Sequence, residues 1–360
     1  MPATTTASAA AAAAHGVSTY PKPLQQTGIL DQFAYFEVTP CIGREFSGVS
    51  LVDWLRAPNA DELLRDLAIV VAERGVVFFR GQTDLDNDLM KELTQRLGVL
   101  SGKPEGTGLH IHPVSNASRD GGGTDDEISV ISSEQAKDLF KAQYDRYADK
   151  KQSSKYGWHS DISFEAAPAD FTIMRATQLP TAGGDTLWAS GYEVYDRISE
   201  PYQRFLESLT ATYAQPAFAA SADAGGFAMF AGPRGSPLNV GTTLVSHHPV
   251  VRTNPVTGWK SVFGLGMHVQ KIDGLSTPES DRMKDWLLSI VAENHDLQVR
   301  FRYQGPGDLA IWDNRSVFHT ATFDYAGLGP RTAMRSVGVA EPPYLDPESK
   351  SRQEALSEAA

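Results

Sequence analysis

The stretch "KYGWHSDISFE", residues 155–165, sets a histidine and an aspartate two positions apart among β-formers: Tyr156, Trp158, Ile162 and Phe164 surround the pair. Side chains at i and i+2 of a strand point to one face, so a strand here predicts that His159 and Asp161 enter the same space. Two readings compete. The pair is either a strand edge with two polar residues facing water, or two ligands of a metal. An H-x-D pair is common enough by chance that the choice rests on the rest of the chain.

The chain has 360 residues, 41% hydrophobic and 21% charged, an ordinary soluble composition with enough length to bury a large core. A net charge of -12 argues against general binding to nucleic acid or to an anionic membrane, and leaves room for a local basic pocket that takes a small anion. The single cysteine, Cys41, excludes an intramolecular disulfide and every cysteine-built metal cage, and fits a reducing, cytoplasmic setting. No apolar run is long enough to span a bilayer. The opening "MPATTTASAAAAAAHGVSTYPKP" has no basic residue before Lys22, so it lacks the charged start of a signal peptide or presequence. Residues 1–27 are expected to form a disordered extension.

Residues 28–345 then read as one domain, followed by a polar tail at 346–360. "NADELLRDLAIVVAER" (59–74) has helical apolar spacing with Gly75 as its stop, "GVVFFRG" (75–81) is a buried strand, and "DNDLMKELTQRLG" (86–98) is a second amphipathic helix. "SRDGGGTDDE" (118–127) is a loop and "ISVISS" (128–133) a strand. The charged segment 134–157 is either a solvated helix or a flap inserted before the H-x-D pair. Beyond it, "DFTIMRAT", "GGDTLWAS", "GTTLVSHHPVV", "KSVFGL", "LQVRFRY", "GDLAIWDN" and "TAMRSVGVA" read as short strands. Helices interrupt them at 191–208 and 278–293, the second with Met283, Trp286, Leu287, Ile290 and Val291 on one face. Many short strands with few helices predict a mainly β fold, a double-sheet jelly roll decorated by helices.

One of the nine histidines, His319, lies in "DLAIWDNRSVFHTATFDY" (308–325), and Arg331 and Arg335 follow it. If His319 joins His159 and Asp161, two imidazoles and one carboxylate bind one face of a metal and leave other positions open, the non-heme Fe(II) arrangement. Zinc competes, since two histidines and a carboxylate also serve hydrolytic sites. The H-E-x-x-H helix of zinc peptidases is absent, and a zinc hydrolase has no need of two trailing arginines.

The chain resembles the taurine dioxygenase (TauD/TfdA) family of Fe(II)- and 2-oxoglutarate-dependent oxygenases. The resemblance is carried by "GVVFFRGQ" (75–82), "LHIHPV" (109–114), "WHSDISFE" (158–165), "GGDTLW" (183–188), "HPVVRTNPVTGWKSVF" (248–263) and "GDLAIWDNRSVFH" (307–319), in family order, with Arg331 and Arg335 after them. It looks nearest to a fungal sulfonate dioxygenase-like branch. It implies a double-stranded β-helix, cupin-like, with helices outside, and assigns His159, Asp161 and His319 to iron. Thr186 and Arg331 match the residues that hold the 2-oxoglutarate tail carboxylate. Arg335 matches the arginine that receives the acidic group of the substrate, and His112 a histidine that contacts the same group. A guanidinium suits both anions because its planar donors match a carboxylate two at a time.

Two departures stand out. Ser115 replaces a tyrosine that touches the sulfonate, and the segment after Val262-Phe263 puts His268 near where an apolar aromatic lines the substrate. The implied function is O2- and 2-oxoglutarate-dependent oxidation of an unactivated C–H in a small anionic molecule. A sulfonate cleaved to sulfite and an aldehyde comes first; a carboxylate or amino acid that is hydroxylated, desaturated or cyclised comes second. A non-catalytic 2-oxoglutarate sensor is the rival from another class. Nothing in the residues selects between a monomer and a homo-oligomer. His110, His247 and His248, with Trp158, Trp188, Trp286 and Trp312, are expected to be structural.

Overall fold

In the run Val76–Phe79 all four side chains are buried, and they divide by parity. Val77 and Phe79 join one apolar cluster with Leu64, Leu67 and Leu93, while Val76 and Phe78 join another with Trp188, Phe301 and Trp312. A strand with helices on one face and a second sheet on the other needs this unbroken apolar run. The computed structural model describes residues 20–116, 124–139 and 154–359. The strands in chain order are β1 (Tyr35–Glu37), β2 (Arg44–Phe46), β3 (Val76–Phe79), β4 (Ser129–Ser132), β5 (Ala169–Gln178), β6 (Thr186–Ser190), β7 (Thr210–Ala214), β8 (Val245–Pro249), β9 (Val251–Thr253), β10 (Lys260–Val262), β11 (Val269–Ile272), β12 (Gln298–Phe301), β13 (Leu309–Asp313), β14 (Val317–Ala321) and β15 (Thr332–Val339).

Among the described residues the main sheet runs β1-β2-β3-β13-β5-β15-β4, and only β2–β3 is parallel. β13 and β5 repeat the parity of β3: Leu309, Ile311, Phe171 and Ile173 face the helices, whereas Ala310, Trp312, Met174 and Ala176 face inward. Against this inner face lies the sheet β12-β6-β14, and beyond it β11-β7-β8. The expected many-stranded architecture with external helices is therefore present.

The helices Leu51–Arg56, Ala60–Arg74 and Asn87–Leu100 cover the outer face. Their starts follow ordinary capping chemistry: Ser50 Oγ accepts from Asp53 N at 3.1 Å and Asp86 Oδ1 from Leu89 N at 2.9 Å. The long helix Thr277–Glu293 opens with a Ser276/Glu279 capping box and buries Leu287, Leu288 and Val291. Trp286 differs from expectation. It is 37% exposed and meets the Tyr202 ring at 5.5 Å in a tilted contact, because the buried face of this helix turns through Leu288 instead. The helix expected over 191–208 is two, Gly191–Asp196, capped by the Ser190 hydroxyl, and Glu200–Glu207, which opens with Pro201 in its first turn, and Pro216–Gly225 forms a helix where none was expected.

Contacts reach into both ends of the described chain. Tyr20 stacks on Tyr344 at 5.0 Å, Leu24 N donates to Val256 O at 2.8 Å, and Thr27 donates to the buried Asp66. The polar tail carries a helix, Arg352–Ala359, tied by Arg352 to Glu193 at 2.9 Å. The alanine-rich residues 1–19, much of the loop at 118–127 and most of the charged segment 134–157 lie outside the described residues.

Candidate metal centre and substrate cavity

His319 sits in the middle of β14, opposite Trp188 of β6. Its backbone also makes an isolated bridge to His159, with His159 N donating to His319 O at 3.0 Å and His319 N to His159 O at 2.8 Å. The expected strand at 155–165 is therefore one bridge, and the chain turns immediately after it. Ile162 sits at φ 45°, the one non-glycine residue with positive φ among those described, and for a β-branched side chain this is strained. Tertiary bonds hold the turn. Asp161 N donates to Asn314 Oδ1 at 3.0 Å, Ser160 Oγ to Val317 O at 2.8 Å, and Asn314 Nδ2 to the Asp170 carbonyl at 3.0 Å and Thr172 Oγ1 at 2.8 Å. His159 and Asp161 share a space because of this web, with no strand pleat involved.

Ligand-capable atoms of His159, Asp161 and His319 lie within 4.8 Å of one another, and His319 Nε2 is 3.9 Å from Asp161 Oδ1. His159 Nδ1 donates to the Gly157 carbonyl at 2.9 Å, which fixes the tautomer and leaves the Nε2 lone pair free. The His319 ring keeps a buried Nδ1 without a partner. Burial, then the neighbouring His159, pushes the His319 imidazole down to about 3, and burial likewise lowers His159. Burial alone raises the Asp161 carboxyl; Arg335, the two histidines and the Thr172 hydroxyl at 3.0 Å outweigh it and hold it well below the usual carboxylate range. Two neutral imidazoles beside a carboxylate form a ready donor set for a divalent metal, and it fits Fe(II) with open positions.

Arg335 lies on β15, whereas Arg331 immediately precedes that strand and is separated from it by a register shift at Thr332/Ala333, so the shared strand face that a spacing of four predicts is not formed. Arg331 is buried, and its Nε donates to the Gly184 carbonyl at 2.7 Å while Nη2 meets Thr186 Oγ1 at 3.4 Å. Gly184 has φ 74°, and a Cβ there would lie 2.9 Å from Arg331 Cδ, so glycine permits this approach. Tyr303, unmarked in the sequence reading, closes the group with its hydroxyl 3.3 Å from Thr186 Oγ1 and its ring 5.5 Å from the Arg331 guanidinium. Arg335 Nη1 pairs with Asp161 Oδ1 at 2.7 Å, and its buried Nε has no partner.

A cavity of about 270 Å³ opens on His159, Asp161 and Arg335. Val130, Ile131, Ile162, Phe164, Phe218, Met267 and Phe323 supply apolar walls, and His112, Ser115, Gln215 and His268 supply polar points. The structure thus brings His112 and His268 into the cavity, while Thr186 and Arg331 lie outside its lining. His112 Nδ1 accepts from Val114 N at 3.0 Å and Ser115 N at 2.9 Å, so its proton sits on Nε2. Sequence reasoning missed Phe218 and Gln215, which belong to a segment without a recognisable pattern.

The histidines expected to be structural divide. His248 is buried and donates to carbonyls of Ser163 and Glu165, and His110 bonds Glu165 at 3.2 Å. His247 is exposed and bonds Thr212 and Asp273. Trp158, Trp188 and Trp312 are buried as expected.

The family model "Taurine catabolism dioxygenase TauD, TfdA family" matches residues 34–337. The alpha-ketoglutarate-dependent dioxygenase oryG of Aspergillus oryzae is 52% identical over 342 residues, 95% of this chain and 98% of that protein. An alpha-ketoglutarate-dependent sulfonate dioxygenase of Saccharomyces cerevisiae is 31% identical, covering 86% of this chain and 68% of its own length. A crystal structure of a taurine dioxygenase from Burkholderia xenovorans superposes with a TM-score of 0.62 at 25% identity, over 88% of this chain and 92% of that one. The expected nearness to a sulfonate dioxygenase branch is corrected by these figures: the sulfonate enzyme is the more distant of the two fungal relatives.

Proposed function

The chain belongs to the TauD, TfdA family and is a 2-oxoglutarate-dependent dioxygenase, and from that premise we propose that it oxidises an unactivated C–H bond of a small organic acid with an apolar body. The observation that carries this reading is Arg335: a guanidinium with a buried, partnerless Nε at the edge of an apolar-walled cavity that also opens on the His–Asp–His group. A buried donor without a partner is costly, and the acid group of a substrate satisfies it.

His159, Asp161 and His319 would hold Fe(II). Arg331, oriented by Gly184 and Thr186, would receive the distal carboxylate of 2-oxoglutarate. The bound iron and 2-oxoglutarate supply the oxidant: O2 and 2-oxoglutarate become succinate and CO2 while one oxygen atom is inserted into the C–H bond. The protein's own part is to anchor the acid at Arg335, pack its body against Phe164, Phe218 and Met267, and exclude water. The inward-facing parity of β3, β5 and β13 against β6, β12 and β14 supports reading the two layers as the double-stranded β-helix of the family.

The apolar walls suit a body larger than that of taurine, and a carboxylate on such a body is the first reading. A sulfonate, oxidised at the carbon bearing sulfur and released as sulfite and an aldehyde, is the second reading, favoured by the sulfonate dioxygenase among the relatives. A 2-oxoglutarate sensor without catalysis is disfavoured by the complete donor set. The test is succinate formation with Fe(II), 2-oxoglutarate and O2 against panels of alkanoates, aryl acids and sulfonates. Stimulation by acids with apolar bodies is the expected result, and stimulation only by neutral compounds overturns the reading.

A further inference from the structure

Gln215 and His268 come from neighbouring segments of the chain locked by backbone bonds. β7 pairs with β11 through Tyr213 and Val269, Ala214 N donates to His268 O at 2.9 Å, and Gln215 N donates to Leu244 O at 3.1 Å. On the other side Met267 N donates to Trp158 O at 3.0 Å, beside the bridge that carries His159. Gly266 permits this approach: its φ is 103°, and a Cβ would lie 2.8 Å from Trp158 O.

The side chains continue the connection. His268 is buried, with its ring edge-on to Phe164 at 5.1 Å and to His159 at 5.6 Å. Its Nε2 lies 3.3 Å from Gln215 Nε2 and its Nδ1 2.9 Å from Ser163 Oγ. An amide nitrogen can only donate, so His268 Nε2 accepts, the ring proton sits on Nδ1, and Ser163 Oγ accepts it. The amide of Gln215 is thereby oriented, and its oxygen is the atom that His268 does not use. Gln215 is half-buried and lines the cavity among Phe164, Phe218 and Met267, where its amide oxygen has no hydrogen bond among the described residues and is open to water or a ligand.

We propose that Gln215, aligned by His268 and Ser163, is a specificity-determining residue whose amide oxygen accepts a hydrogen bond from a hydroxyl or N–H on the substrate's apolar body. The assignment rests on the cavity reading above and adds a second recognition point to the acid anchor. The substrate class becomes a bifunctional one: an acid group at Arg335, a hydrocarbon body, and a neutral donor facing Gln215.

Binding without turnover tests it. Anaerobic protein loaded with Fe(II) and 2-oxoglutarate is titrated calorimetrically with unbranched alkanoates of four to ten carbons and with the same acids bearing a terminal hydroxyl. At the chain length that spans from Arg335 to Gln215, the wild type should prefer the hydroxy acid by roughly five- to tenfold, the worth of one ordinary hydrogen bond. Gln215→Met keeps the reach without the amide and should bring that ratio to about one. His268→Phe keeps an aromatic ring but releases the amide, and should lower the ratio as well. Each ratio is taken within one variant, so a loss of folded protein cancels. A preference that survives Gln215→Met, or none at any chain length in the wild type, overturns the assignment. Arg335→Met separates the two readings: undiminished alkanoate binding there defeats the acid anchor, and a retained hydroxyl preference in the same variant upholds Gln215.

Discussion

The stretch 158–165 contributes carboxylates to two arginine pairs, one buried and one part-buried, that differ in completeness. Glu165 meets Arg234 through two bonds, Nε to Oε1 at 2.6 Å and Nη2 to Oε2 at 2.8 Å, while Arg234 Nη1 donates to the Gly241 carbonyl at 2.8 Å and His110 bonds the same carboxylate at 3.2 Å. Asp161 meets Arg335 through one bond at 2.7 Å, and the guanidinium keeps a buried, partnerless Nε. The first pair has nearly all its donors and acceptors engaged inside the protein, so it serves the fold. The second holds charge in reserve for ligands. Four residues of chain therefore separate a structural pin from a reactive centre, and the count of satisfied donors tells them apart.

The widest effect should come from breaking the complete pair. Arg234→Met leaves a buried Glu165 without its partner and should cost about 3–5 kcal/mol of stability in denaturant unfolding. Arg335→Met in the metal-loaded protein should cost less than half as much, because the metal takes over Asp161. Equal losses would dissolve the distinction.

Next in size is the reserved pair's own function. Asp161→Ala removes the charged ligand and leaves two neutral imidazoles, so Fe(II) affinity should fall by about a hundredfold or more, read by equilibrium dialysis. A smaller effect is expected at the co-substrate arginine. Arg331→Lys keeps the charge and loses the planar pair of donors, raising the KM for 2-oxoglutarate about tenfold and that of the organic acid by less. An unmoved KM for 2-oxoglutarate would place Arg331 outside its binding.

The smallest effect concerns pH. Burial, only partly offset by Glu165, lowers the His110 imidazole below its ordinary 6.5. Above about pH 6.5 neither folded nor unfolded His110 takes up a proton, so its share of stability is fully present. Below that the unfolded chain binds a proton the folded one refuses, and stability declines. For Glu165 burial raises the carboxyl, but Arg234 and His110 outweigh it and leave it lowered, so its contribution is lost only as pH falls below its ordinary 4.5. Between pH 7 and 5.5 unfolding free energy should therefore drop, and His110→Asn should make that drop shallower than in the wild type. A His110→Asn profile parallel to wild type contradicts this.

The comparison also marks what the sequence reveals. His159, Asp161, His319, Thr186 and the two arginines sit in short motifs whose spacing and order are recognisable, and the structure gathers the first three. The paired partners Glu165 and Arg234 are 69 residues apart and follow no periodic pattern, so only the folded chain joins them. The strand expected at 155–165 fails for a similar reason: β-propensity is present, but the bonds that turn the chain at Asp161 come from Asn314 and Val317. Trp286 escapes prediction because a helical apolar stripe does not say which of its edges faces inward. Gln215 and Phe218 are legible only as parts of a wall.

The account's central claim is that the His–Asp–His group and Arg331 form a loaded centre while Arg335 serves a third component. Anaerobic titration with Fe(II) and then 2-oxoglutarate, followed by the visible charge-transfer absorption of the iron chelate, tests it in one experiment. Wild type should develop the band at one iron per chain, Asp161→Ala should not, Arg331→Lys should need about tenfold more 2-oxoglutarate, and Arg335→Met should develop it as wild type does. A full band in Asp161→Ala, or its loss in Arg335→Met with Arg331→Lys unaffected, would contradict the account.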